Sequence, residues 1–193
     1  MNHDLLHTFM TIFETYLFLI LYIVKRNGRK HMTKAMEPEI RFAEISQENV
    51  RQIMRLSRTL SEEQQKLVAP NAVSIVEGIY TPNSWFRGIY EQDIPVGFIM
   101  LSFGSELDSG IPNKNDVFLW RYMIGSPYQG RNIGFVALKK VILQLKESGY
   151  HHFYTSCSME EGSPYPFYLK CGFVDTGKKL EDEQLLHVDL RHF

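Results

Sequence analysis

An α/β domain is the fold this sequence predicts, and three observations predict it. From Glu37 onward, short strand-like and helix-like segments alternate. One segment, Val117 to Ile124, is apolar on both faces apart from Arg121, so it belongs in the middle of a sheet. That segment runs through a Gly- and Pro-containing turn into an amphipathic helix. The composition agrees: 193 residues, 44% hydrophobic and 22% charged, suit one globular domain with or without a tail and exclude a disordered or coiled-coil chain. A net charge of −1 supplies no basic field for nucleic acid. Two cysteines cannot build a disulfide framework, which points to a reducing, cytoplasmic setting.

Residues 1–36 stand apart from the domain at 37–193. Lys25, Arg26, Arg29, Lys30 and Lys34 outweigh Asp4 and Glu14 there, which leaves 16 basic against 20 acidic groups for the rest of the chain. The apolar run from Leu5 to Val24 is long enough to cross a hydrocarbon core of about 30 Å. Read as a tether, it would keep Lys25 to Lys34 and the domain on the cytoplasmic side, although Glu14 near its middle costs about 2.5–3.5 kcal/mol. No basic segment precedes the run and no small-residue cleavage site follows it, so it does not fit a signal peptide. The other reading is a non-native extension, with the true start at Met32 or Met36 instead of Met1. A membrane partner follows only if residues 5–24 are native.

Along the domain, Ile40 to Ile45 alternates apolar and polar and predicts a strand. Ser46 to Asn49 opens a helix carrying Val50, Ile53, Met54 and Leu56. A second helix is expected over Ser61 to Leu67, and Pro70-Asn71 opens a third, short one. Segments 85–90 and 96–101, with a turn at 91–95, predict a β-hairpin. In the central strand, alternation puts Phe118, Trp120, Tyr122 and Ile124 on one face and Val117, Leu119, Arg121 and Met123 on the other. The helix from 132 to 147 buries Leu138, Val141, Ile142 and Leu145, and Ser148-Gly149 ends it. A strand at 150–156, a helix at 164–171 and strands near 172–176 and 184–190 complete the domain.

The stretch Gly125-Ser126-Pro127-Tyr128-Gln129-Gly130-Arg131-Asn132-Ile133-Gly134 carries the chemistry. A loop feeding a helix N-terminus aims backbone N–H groups, with the helix dipole behind them, at one point, which is how proteins hold phosphate. Gly130 and Gly134 carry no side chain to obstruct a pyrophosphate. Taken alone, the loop also fits an ordinary strand–helix turn.

Together with Phe167-Tyr168-Leu169-Lys170-Cys171-Gly172-Phe173, the segment Gln129 to Gly134 resembles the GNAT acyltransferase superfamily. Its acetyl-CoA loop reads Q/R-x-x-G-x-G/A, and its later segment reads F-Y-x-x-x-G-F. Asn132 stands where the central Gly is usual; Asn tolerates positive φ and caps helices. Trp120 to Ile124, Val68 to Asn71, Gly162 to Tyr168 and the closing strand Glu183 to Leu190 resemble the spermine/spermidine or diamine acetyltransferase branch.

The resemblance implies a strongly twisted mixed sheet, split beside the loop and flanked by helices on both faces. It implies acetyl-CoA as co-substrate, held by Gln129, Gly130, Arg131, Asn132, Ile133 and Gly134, with the thioester arm at the Met123 and Ile124 backbone. It implies that Tyr168 protonates the departing thiolate, as a hydrogen-bonding acid or with a depressed pKa. The acceptor would be a primary amine, a polyamine or diamine first, attacking directly in a ternary complex. Aminoglycosides, amino acids and protein N-termini are alternative acceptors. A non-catalytic CoA-sensing domain is the alternative of another class, suggested by Asn132, by Glu161 in place of an asparagine common in the superfamily, and by the apolar tail.

An alkylammonium must lose a proton before it attacks, and Asp116, Glu160, Glu161 and Glu183 are the candidate bases. Glu181-Asp182-Glu183 with Glu160-Glu161 reads either as an acidic funnel for a polycation or as solvated turns, so Glu160, Glu161 and Glu183 are the candidate substrate residues. Adjacent His151 and His152 point to opposite faces of a strand and argue against a metal. Cys157 and Cys171 read as buried thiols. Arg121 needs an anionic partner, structural or substrate. A homodimer stays open.

Overall fold

The protein is described from a computed structural model over residues 37–104 and 116–193. The tether reading of residues 5–24 and the alternative starts at Met32 and Met36 lie outside the described residues. Strand β1 (Ile40–Ala43) leads into α1 (Val50–Leu56), α2 (Glu62–Leu67) and α3 (Asn71–Tyr80). Ser61 caps α2 by accepting from the Gln64 amide at 3.3 Å. Strands β2 (Ser84–Glu91) and β3 (Ile94–Phe103) form the expected hairpin, but its turn is only Gln92-Asp93, with Gln92 at φ 53°. Strand β4 (Asp116–Ile124) precedes α4 (Ile133–Glu147), β5 (His152–Cys157), α5 (Tyr165–Lys170), β6 (Val174–Leu180) and β7 (Glu183–Asp189).

The seven strands form one mixed sheet in the order β1-β2-β3-β4-β5-β7-β6, antiparallel except for the β4–β5 pair. Helix α4 covers one face, where Ala137, Leu138, Val141 and Ile142 pack among Val117, Leu119, Phe153 and Leu186. Helices α1 and α3 cover the other, with Ile53, Leu56 and Ile75 among Phe98, Met100 and Met123. Helices on both faces of a mixed sheet are the predicted class. Among the described residues, no helix is long and apolar enough to cross a membrane.

Two features of β4 set up the site. The first corrects the expected alternation. Met100 pairs with Arg121 while its neighbour Leu101 pairs with Leu119, so Trp120 is an extra residue, a β-bulge. Beyond it the faces exchange: Val117 and Leu119 share the α4 side with Tyr122 and Ile124, while Trp120 and Met123 pack on the opposite side. A period-two reading cannot register an inserted residue. The second feature is the split. Strands β4 and β5 pair only from Asp116–His152 to Phe118–Tyr154. Past that point a side chain takes over, as the Thr155 hydroxyl donates to the Leu119 carbonyl at 3.2 Å. The rest of the β4 edge faces a cleft.

Gly97 lets β3 pack closely along the opposite edge of β4. A Cβ there would stand 2.5 Å from the Met123 carbonyl oxygen and 2.7 Å from Ile124 Cδ1. Gly97→Ala should therefore cost about 1–3 kcal/mol by overpacking. A thermal melt should read this as a fall of about 2–4 °C per kcal/mol for a domain of this size. An unchanged melting temperature would mean that the two strands separate freely here.

Candidate active site

The cleft encloses about 960 Å³ between the split strands, the loop ahead of α4, and α5. On the β4 edge, the Gly125 amide donates to the Val96 carbonyl at 2.9 Å, toward β3. Alternation then turns the Met123 N–H toward β3 and the Tyr122 and Ile124 N–H groups toward the cleft. The Ile124 carbonyl agrees, since it accepts from Gln129 Nε2 at 2.8 Å on the cleft side. Of the two residues expected at the thioester, Ile124 presents its amide and Met123 does not.

The loop curls through two left-handed residues, Gly130 at φ 73° and Asn132 at φ 64°. Asn132 thus adopts the conformation for which glycine is usual, as its tolerance of positive φ predicts. Its side chain makes no capping bond, so that part of the expectation is corrected. The first bond closing α4 is Val136 N–H to the Asn132 carbonyl at 3.1 Å. Among the described residues, the amides from Gly130 to Phe135 have no protein acceptor. They converge at the positive end of a 15-residue helix dipole, an arrangement that binds anions.

The side chains around the loop do different work. Gln129 braces it, bonded to Ile124 and to Gln64 across the cleft mouth at 3.2 Å. Arg131 turns away, and its guanidinium pairs with Glu91 at 2.8 and 3.0 Å outside the cleft lining. The Tyr122 hydroxyl, which the sequence did not single out, donates to the Gly134 carbonyl at 2.6 Å and pins the first turn of α4 to β4. Its ring stacks on Phe167 at 6.0 Å. A Cβ on Gly134 would stand 3.3 Å from Ile124 Cγ1 and 3.6 Å from Phe167. This glycine therefore permits close helix–strand packing while also lining the cleft.

Tyr168 lies in α5, whose start is braced by the Ser163 hydroxyl accepting from the Tyr165 amide at 3.1 Å. Gly172, at φ 99°, ends that helix, and its amide donates to the Leu169 carbonyl at 3.0 Å. Tyr168 is 6% exposed, lines the cleft, and packs against Phe167 and Phe173. Burial pushes its pKa well up, and the Thr155 hydroxyl only partly opposes this. Burial thus raises this pKa where a depressed one was the other option, and the hydroxyl stays protonated with its proton available to donate.

The carboxylates separate clearly. Glu183, at the start of β7, lines the cleft and accepts from the Ser156 hydroxyl at 2.5 Å. Glu181 lines it too, from the β6–β7 turn. Glu160 and Glu161 are exposed on the turn before α5, outside the lining. Asp116 sits at the far end of β4 from Ile124, buried outside the cleft lining with one oxygen unpartnered among the described residues, and burial raises its pKa. Cys157 and Cys171 are free and buried, as expected, and burial pushes Cys171 up to about 12. His152 meets His187 at 2.9 Å while His151 is exposed. Among the described residues, no group of three or more His, Cys, Asp or Glu side chains is placed to hold a metal.

A glycine-bearing loop of partnerless amides ahead of a helix, beside a split sheet, invites comparison with known proteins. The profile described as "Acetyltransferase (GNAT) family" matches residues 50–173. The chain belongs to the GNAT acetyltransferase family. Its fold is the GNAT fold, and it is an acetyl-CoA-dependent N-acetyltransferase. Solved GNAT structures superpose over most of the chain. An acetyltransferase from Thermus thermophilus is 16% identical, with TM-score 0.62, covering 79% of this chain and 98% of its own. The PaiA N-acetyltransferase from Thermoplasma acidophilum, in complex with coenzyme A, is 18% identical, with TM-score 0.56 and coverages of 78% and 99%. A spermidine N-acetyltransferase SpeG chimera from Vibrio cholerae and hSSAT is 14% identical, with TM-score 0.59 and coverages of 79% and 96%. At such identities the likeness concerns the fold. No curated protein matches the GNAT chain by sequence.

Proposed function

We propose that this GNAT enzyme transfers the acetyl group of acetyl-CoA to the primary amine of a small molecule, by direct attack in a ternary complex. The observation that carries the reading is the run of partnerless amides from Gly130 to Phe135, opening on a cleft that reaches Tyr168. Those amides, from Gly130 to Gly134 within the expected loop, would hold the pyrophosphate, with Gln129 bracing them and Arg131 contributing main chain only. The Ile124 amide would polarise the thioester carbonyl. Glu183, the one candidate base that lines the cleft, would take the ammonium proton, because an alkylamine with pKa near ~10.4 is almost fully protonated at neutral pH. The nitrogen then bonds to the acetyl carbon as the carbon–sulfur bond breaks, the Tyr168 hydroxyl donates a hydrogen bond to the leaving sulfur, and the second proton shed by the acylated nitrogen ends on that sulfur, so that CoA leaves as the thiol. Holding amine and thioester in contact supplies much of the acceleration.

The acidic funnel expected for a polycation reduces to Glu181 and Glu183, since Glu160 and Glu161 stand outside the lining. A polyamine or diamine is therefore one arm of the test, beside aminoglycosides, amino acids and a peptide N-terminus. In a thiol-release assay with acetyl-CoA, at least one small amine should liberate CoA. Should acetyl-CoA raise the melting temperature while no amine releases thiol, the protein is a CoA sensor and this reading falls. Calorimetry giving no heat with either acetyl-CoA or CoA at millimolar concentration would remove the phosphate-binding role of the loop.

A further inference from the structure

With the loop end of the cleft assigned to the nucleotide and Tyr168 to the sulfur, the acceptor must approach along the remaining wall. The cleft carries no excess of carboxylates. Lys66 from the end of α2 and Arg121 from β4 line it with Glu181 of the β6–β7 turn and Glu183 at the start of β7, and Lys170 of α5 adds a third cation to the cleft lining. A polycation site would carry a net excess of carboxylates, and this one does not.

Arg121 is the unusual member. It follows the bulge at Trp120, its side chain is 23% exposed, and its guanidinium stands 5.2 Å over the Trp120 ring. Nη1 donates to the Trp120 carbonyl at 2.9 Å, but the carboxylate partner, Glu77 of α3, is 3.5 Å from Nη2. Nε is buried and has no partner in the described structure. A guanidinium offers five donors in a planar fork matched to an oxyanion, and here Nη1 and Nη2 each keep one N–H unspent while Nε is closed off by burial. Burial lowers the Arg121 pKa while Glu77 and then Glu183 oppose it, so the field of Glu183 reaches the guanidinium. The group remains a cation. Glu183, held by Ser156, supplies the complementary anion on the neighbouring strand system.

We propose that the acceptor is a zwitterion: a small molecule whose reacting amine is received by Glu183 and whose carboxylate, or equivalent oxyanion, is received by the Arg121 fork. The inference rests on the acetyl-transfer reading and narrows it. A diamine of the same length would set its second ammonium against Arg121, where like charges repel in a partly dehydrated wall.

The test compares kcat/KM for glycine, β-alanine, γ-aminobutyrate and δ-aminovalerate with that for diamines of the same chain lengths, and includes phosphoethanolamine as the phosphate-bearing arm. At the best length the amino acid should exceed its diamine by about tenfold or more, mostly through KM. Arg121→Gln should bring the two to near parity, and Arg121→Lys should keep the amino acid ahead. A phosphoethanolamine rate above all the amino acids would identify the oxyanion as a phosphate. A wild-type preference for the diamine, or a ratio untouched by Arg121→Gln, overturns the proposal while leaving acetyl transfer intact. If neither series is acetylated, it is the acetyl-transfer reading that fails. Calorimetry of the amino acids on the CoA-saturated protein then decides the charge pair separately: heat lost in Arg121→Gln supports it, and no heat in the wild type overturns it.

Discussion

Tyr168→Phe is expected to lower kcat by well over about tenfold and to leave acetyl-CoA affinity within about twofold of the wild type. The fold should survive, because the ring and not the hydroxyl makes the contacts with Phe167 and Phe173, at 5.5 and 5.6 Å. What is lost is one donor aimed into the cleft. An unperturbed tyrosine near ~10 is already a weaker acid than a thiol near ~8.5, so complete transfer to a free thiolate is uphill by about 2 kcal/mol. Burial raises the tyrosine further and makes that transfer harder still. In the proposed role, Tyr168 would therefore act by hydrogen bonding to charge developing on sulfur, a contribution specific to the transition state. The signature is a fall in kcat and in kcat/KM together, with unchanged calorimetric binding of acetyl-CoA. Unchanged turnover would remove the assignment and direct attention to the neighbouring Ser156 or Thr155 hydroxyl.

The parts of this architecture that were legible in the sequence are those governed by local physics. A strand apolar on both faces must be central, and β4 is. A helix with Leu138, Val141, Ile142 and Leu145 on one side must bury that side, and α4 does. Asn132 in place of glycine marks a left-handed position, and its φ is 64°. What escaped is set by pairing across the fold. The bulge at Trp120 is defined only against β3, so strict alternation misassigned Arg121 and Leu119 to one face. Tyr122 read as one more apolar strand residue, yet its hydroxyl ties β4 to α4 through Gly134. Arg131 looks like a phosphate ligand until Glu91, 40 residues earlier, claims its side chain. The candidate bases illustrate the same limit. Four carboxylates were equivalent as sequence, and only the path of β7 brings Glu183 rather than Asp116, Glu160 or Glu161 into the cleft.

Substitutions at Gly134 should separate the packing role from the binding role of the loop. In Gly134→Ala the new Cβ meets Ile124 Cγ1 at 3.3 Å, a contact that the isoleucine can relieve by a small shift. Alanine also gains up to about 1 kcal/mol of helix propensity over glycine. The variant should therefore melt within a few degrees of the wild type and bind acetyl-CoA within about threefold. Gly134→Val adds two methyl groups where Ile124 and Phe167 already close the space. Overpacking of this kind costs about 1–3 kcal/mol, and its easiest relief is to lift the first turn of α4 away from β4. That movement breaks the 2.6 Å bond from Tyr122 and displaces the amides from Gly130 to Phe135. Losing even one charge-assisted amide bond to the diphosphate costs about 1.5–3 kcal/mol, so acetyl-CoA affinity should fall by more than about tenfold in calorimetry. Tyr122→Phe, which releases the same pin without overpacking, should weaken binding in the same direction and by less. A valine variant that melts lower yet binds acetyl-CoA as tightly as the wild type would show that the strain is absorbed elsewhere and that the diphosphate is not gripped by these amides.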